Sequence, residues 1–118
     1  MDSENLATLV IAGQPKLAST LSMNIHEALA QRVVVSYAFN GLSKTELPSY
    51  IASALKAAGV RESIFAENAL EALWGCCGGA VRLVNSLAEK CLIIGAQKGA
   101  RVIGPETVML ANSEMSLV

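Results

Sequence analysis

The dipeptide Asn40-Gly41 constrains this chain more than any other feature, because the hydrophobic patterning changes character across it. Before it lie short, nearly continuous apolar runs of the kind that fill buried strands. After it, apolar residues recur at helical spacing between glycine-containing turns. A boundary there gives one segment of residues 1–39 and another of residues 40–118. Composition supports a folded chain, since 53% of the 118 residues are apolar and 16% are charged. That is ample for a core and excludes disorder.

In the first segment, Leu6 to Gly13 reads as a strand buried on both faces of a parallel sheet, and Gln14-Pro15 turns the chain. From Lys16 to Arg32 the residues Leu17, Leu21, Ile25, Leu29 and Val33 recur every four positions, which predicts one helix with a buried stripe. Val33 to Phe39, rich in β-branched and aromatic residues, reads as a second strand.

The second segment predicts four helices. Ser43-Lys-Thr-Glu46 is a capping box that starts a helix at Lys44, with Leu47, Tyr50, Ile51, Ala54 and Leu55 inward and Gly59 closing it. Pro48 is expected to bend it slightly. A second helix runs from about Ala66 to Cys76 and stops near Gly78-Gly79; a third runs from about Ala80 to Ala96. The fourth opens with Pro105 and ends near Glu114, and the last residues, Met115 to Val118, are expected to fray.

Several function classes drop out. A net charge of −1 and a pI near 5.8 leave no cationic surface for coating nucleic acid. Mean hydropathy is +0.45, yet the longest apolar runs, Leu6 to Ala12 and Cys91 to Ile94, fall far short of the roughly 18 residues that span a bilayer. The expectation is a soluble, cytoplasmic chain without membrane contact, since the acidic start lacks the basic and apolar regions of a secretory signal. Cys76, Cys77 and Cys91 are expected as reduced thiols. The lone His26 and the adjacent Cys76-Cys77 make no metal or redox motif. A phosphate loop is also missing: in Gly41-Leu-Ser-Lys-Thr, Ser43 and Ala38 stand where the motif needs glycine.

Three polar residues remain in suggestive places. Arg32 ends the first helix directly before an apolar strand. Arg82 falls in the first turn of a helix, where a cation costs about 0.3–1 kcal/mol against the helix dipole unless an anion faces it. A solvated or carboxylate-paired arginine and a functional one both fit each position. Gln14 ends a strand at the sheet edge where open α/β folds bind ligands.

The ordered set of pieces Leu9 to Leu17, Ala30 to Val35, Leu42 to Ile51, Ala57 to Gly59, Ile64 to Leu70 and Gly78 to Asn85 resembles the back half of an AAA+ ATPase, most like the ExeA-type and transposition-helper ATP-binding proteins. The resemblance runs from about Leu6 to Ala111. It implies a mostly α fold: a two-strand remnant of an α/β P-loop core (residues 1–39), then a four-helix AAA+ lid (residues 40–118). Gln14 would be the sensor 1 residue that orients the attacking water or γ-phosphate. Arg32 would be the arginine finger reaching a neighbouring subunit's ATP, and Arg82 the sensor 2 arginine on the phosphates of its own subunit. Tyr50 and Ile51 would line the adenine pocket. Where the family has Gly-Gly-Ile-Pro-Arg, this chain has Gly-Gly-Ala-Val-Arg, which softens the helix start but keeps the arginine.

The phosphate loop and the acidic magnesium-binding strand are missing, so the resemblance implies part of a longer ATPase that uses ATP and magnesium. This part alone would be inactive and hold no cofactor. The parent would form a ring or filament, and the piece itself could dimerise. Because the chain stops at Val118, short of the membrane and cell-wall regions of secretion members, the expected parent is a DNA transposition helper acting with a transposase and DNA. The alternatives are a secretion-type ExeA-like ATPase fragment and a helical protein-interaction module without a nucleotide role. A separate DNA-binding domain is disfavoured by the near-neutral charge.

Overall fold

A computed structural model of the protein describes residues 7–116. The chain divides into two compact units, Met1–Phe39 and Asn40–Val118. Leu6, at the start of the expected first strand, and Leu117 and Val118, of the expected frayed end, lie outside the described residues.

The first unit holds α1 (Lys16–Leu21), a single 3-10 turn (Asn24–His26) and α2 (Glu27–Ala30), and none of the three buries a residue. This corrects the single helix expected from Lys16 to Arg32. The stripe that was to be buried is not: Ile25 is 79% exposed. Short helices draw most of their stability from such packing, so nothing here offsets local competition. That competition is visible, because the Thr20 hydroxyl donates to the Lys16 carbonyl and the Ser22 hydroxyl to the Ser19 carbonyl. Met23 then leaves the helix with φ −68° and ψ 145°.

The two expected strands are also corrected. Residues 7–14 and 33–43 form no ladder, and Leu9, Val10, Val34, Val35 and Phe39 are exposed. A strand exists only through the hydrogen bonds of a neighbour, and β-branched composition cannot supply one. The Tyr37 and Phe39 rings instead meet edge to face, with centroids 5.3 Å apart.

The second unit is a helical bundle of α3 (Leu47–Ala57), α4 (Glu67–Cys77), α5 (Val81–Lys98) and α6 (Pro105–Met115). The capping box forms in full: the Glu46 amide donates to the Ser43 hydroxyl and the Ser43 amide to the Glu46 carboxylate. It shapes a turn, however, and α3 begins only at Leu47, three residues beyond the expected start. Pro48 therefore sits in the first helical turn, where a missing amide costs little, and does not bend the helix interior.

Helices α4, α5 and α6 pack on one another around Leu73, Val84, Leu87, Cys91 and Val108, while α3 rests more lightly on α4 and buries Leu47 and Ile51 in the same core. One parallel bridge, Phe65 to Ile103, ties the segment before α4 to the segment before α6. The Ile103 amide donates to the Ile64 carbonyl at 2.7 Å and the Ala66 amide to the Ile103 carbonyl at 3.0 Å. No helix among the described residues is long and apolar enough to cross a membrane.

Candidate functional site

Of the residues singled out in the sequence, Gln14 and Arg32 belong to the first unit and Tyr50, Ile51 and Arg82 to the second. Gln14 is exposed, and its carbonyl accepts from the Leu17 amide at the entry to α1. Arg32 is exposed just past α2, its amide donating to the Leu29 carbonyl at 3.0 Å.

The second unit builds more around its arginine. Arg82 stands in the first turn of α5, exposed, and that turn carries no acidic residue. The N-cap Ala80 offers no side-chain cap, so the first amides of an 18-residue helix keep their donor capacity. Among the described residues the ion pair formed is Lys90 with Glu114, and Arg82 joins none. A cation and free amides at a positive helix end together favour an anion.

The position of this helix start is fixed by backbone. Gly79 has φ +86° and Gly41 φ +81°, in the region that side chains disfavour. The two glycines let their segments touch: the Leu42 amide donates to the Gly79 carbonyl at 2.9 Å, and a Cβ on Gly41 would meet that same carbonyl oxygen at 2.5 Å. The Trp74 indole N–H donates to the Leu42 carbonyl at 3.4 Å, closing the clamp from α4. The segment entering α3 is thereby tied to the turn that launches α5.

Tyr50 and Ile51, expected to line one pocket, point to different places. Ile51 is 6% exposed and belongs to the core, at the floor of a shallow groove of about 590 Å³ between α3 and the segment leading to α4. Tyr50 is half-buried and turns toward α5, where its hydroxyl donates to the Asn85 Oδ1 at 2.6 Å. The structure thus brings Tyr50 to within one helical turn of Arg82, since residues 82 and 85 are surface neighbours on α5. Asn85 was not singled out in the sequence, although it ends the Gly78 to Asn85 piece three positions after the arginine. Among the described residues no three His, Cys, Asp or Glu side chains converge as metal ligands.

No protein-family model matches this chain, and no solved structure does. It is similar to General secretion pathway protein A of Aeromonas hydrophila, with 32% identity over 115 residues. The match covers 98% of this chain but 21% of that protein, so the chain spans about a fifth of its curated relative's length.

Proposed function

We propose that this chain is a piece of a secretion-type, ExeA-like AAA+ ATPase, contributing the end of the nucleotide-binding core and the helical lid. The observation that carries this reading is the 32% identity to a general secretion pathway protein along 98% of the chain. The relative's name favours secretion over the transposition helper expected from the sequence, and nothing supports a transposase or DNA as partner.

In this reading the α5 start is the lid's contact with nucleotide. Its free amides and Arg82 face the phosphates and Tyr50 stands toward the base, while Ile51 packs in the core and not beside it. Gln14 orients the attacking water or γ-phosphate, and Arg32 reaches the ATP of a neighbouring subunit in an oligomer. The donor set fits an anion but offers no carboxylate cluster for magnesium. ATP would supply the γ-phosphoryl group for transfer to water, with its phosphate cradle and metal ligands in other parts of the longer protein.

The test is to extend the coding frame upstream, express the longer protein and measure ATP turnover for wild type, Arg82→Ala and Arg32→Ala. Turnover is expected to fall on the order of 10²-fold or more for each substitution. Mixing Arg32→Ala with a phosphate-loop variant is expected to restore part of it, because the arginine acts across subunits. Unchanged turnover in both single variants would overturn the proposal.

A further inference from the structure

Asn40-Gly41 stands where the two units meet in the sequence, and the nucleotide reading makes no use of it. The backbone nitrogen that follows an asparagine attacks the side-chain amide carbon and closes a five-membered ring when it is unhindered, outside regular structure and in water. Glycine removes the hindrance, because it carries no Cβ. Asn40 and Gly41 are both exposed, and residues 33–43 lie in no helix or ladder. Among the described residues the Gly41 amide donates no backbone hydrogen bond, and the Asn40 side chain joins none. Ring closure turns the Asn40 side chain and the bond from its Cα to its carbonyl. The tie of Leu42 to Gly79 comes after that bond and stays closed. The other asparagines of the described residues differ. Asn24 opens the 3-10 turn and is followed by β-branched Ile25, whose side chain crowds its own nitrogen. Asn68, Asn85 and Asn112 lie within α4, α5 and α6, where the helical ψ holds the next nitrogen out of reach of the side chain.

We propose that Asn40-Gly41 is a self-modification site, at which the chain deamidates through a succinimide. The Gly41 nitrogen bonds to the Asn40 side-chain carbon, the bond from that carbon to the side-chain nitrogen breaks, and the proton of the Gly41 amide leaves with it as ammonia. One water then opens the ring, its hydroxyl going to a carbonyl carbon and its proton to the nitrogen. Opening at the main-chain carbonyl gives isoaspartate, and opening at the side-chain carbonyl gives aspartate. The balance is one water taken up and one ammonia released, with nothing oxidised or reduced. Either product adds one carboxylate. Isoaspartate also routes the main chain through the former side chain, which lengthens it by one carbon just before the clamp. The core of the bundle begins at Leu47, beyond the modified bond, so the change is confined to the segment that joins the two units. This inference is independent of the nucleotide reading.

The experiment ages the complete chain in warm buffer at pH 8 over days, beside a synthetic peptide of residues 36–45 as the unstructured reference. Peptide mass spectrometry locates each conversion, and an isoaspartate methyltransferase counts the isoaspartate. Asn40 is expected to convert within a few fold of the rate in the peptide, and faster as pH rises, because the attacking nitrogen must lose its proton. Asn24, Asn68, Asn85 and Asn112 are expected to stay intact over the same time. Asn40→Gln should abolish the conversion, since its longer side chain would have to close a six-membered ring; the position is exposed, so melting should not change. Trp74 donates to the Leu42 carbonyl, so its fluorescence reports the clamp and should be the same in fresh and aged protein. An Asn40 that stays intact while the peptide converts, or conversion spread evenly over the asparagines, would overturn the site. A shifted Trp74 emission in the aged chain would overturn its confinement to the joining segment.

Discussion

Cys91 shows how a single side chain can report on this bundle. It is fully buried on α5, and its thiol is pushed up to about 11, first by burial and then by the nearby Cys76 and Cys77. Cys77 is pushed up as well, again chiefly by burial. In the unfolded chain a thiol titrates near its ordinary value of 9.0. Between pH 9 and about 11 the folded protein therefore keeps a proton that the unfolded chain has lost. Stability falls as pH rises through that window and is insensitive to this group below it. Melting followed by circular dichroism from pH 7 to 11 should show this decline. Cys91→Ala should melt lower at pH 7, because it opens a cavity, yet lose less between pH 9 and 11. An unchanged slope in the variant would assign the decline to other groups. The position of Arg82 in a first helical turn was legible from the glycines before it and the apolar stripe after it. The hydrogen bond that Asn85 accepts from Tyr50 was not, because a polar residue on an exposed helix face looks the same in sequence whether or not another helix supplies a donor.

Among the elements, what could be read depended on whether the signal was local or needed a partner. The end of α4 and the start of α6 followed from Gly78 and Pro105, whose effects act within a turn. The start of α3 was misplaced although its capping box is real, since the same two hydrogen bonds can close a turn before a helix as well as open one. The strands around Val10 and Val34 were illegible for a different reason: alternation and β-branching describe a face, and pairing depends on chain elsewhere. The capping box carries its own test. Glu46 is held below its ordinary 4.5 by the Ser43 hydroxyl and then the Ser43 amide. Its contribution is present above pH 4.5 and is lost as pH falls through the lowered value. Ser43→Ala should raise the Glu46 titration, followed by carboxyl NMR, part of the way toward 4.5, because the Ser43 amide still donates to the carboxylate, and speed amide exchange at Glu46 and Leu47 at neutral pH. A titration unmoved by Ser43→Ala would mean that the Ser43 hydroxyl is not a cause.

At the scale of the whole molecule, burial is unequally shared. Among the described residues every buried side chain lies at or beyond Leu47, while Leu9, Val10, Val34, Val35, Tyr37 and Phe39 of the first unit are open to solvent. Residues 40–118 contain the core, the Phe65 to Ile103 bridge and the Gly41 to Gly79 clamp. They are close to the size at which one core supplies only about 3–5 kcal/mol, so the unit should fold alone but with little to spare. A protein comprising residues 40–118 should keep a cooperative thermal transition within a few degrees of that of the complete chain. A peptide of residues 1–39 should show little helix by circular dichroism, as expected for helices of this length without a packing surface. Exposed apolar segments with unpaired backbone favour association. Light scattering should therefore find a mass that rises with concentration for the complete chain and a constant monomer mass for residues 40–118. If the shorter protein melts without cooperativity, the first unit contributes to the core; if it still self-associates, the adhesive surface lies on the bundle and the open apolar segments of the first unit are not its cause.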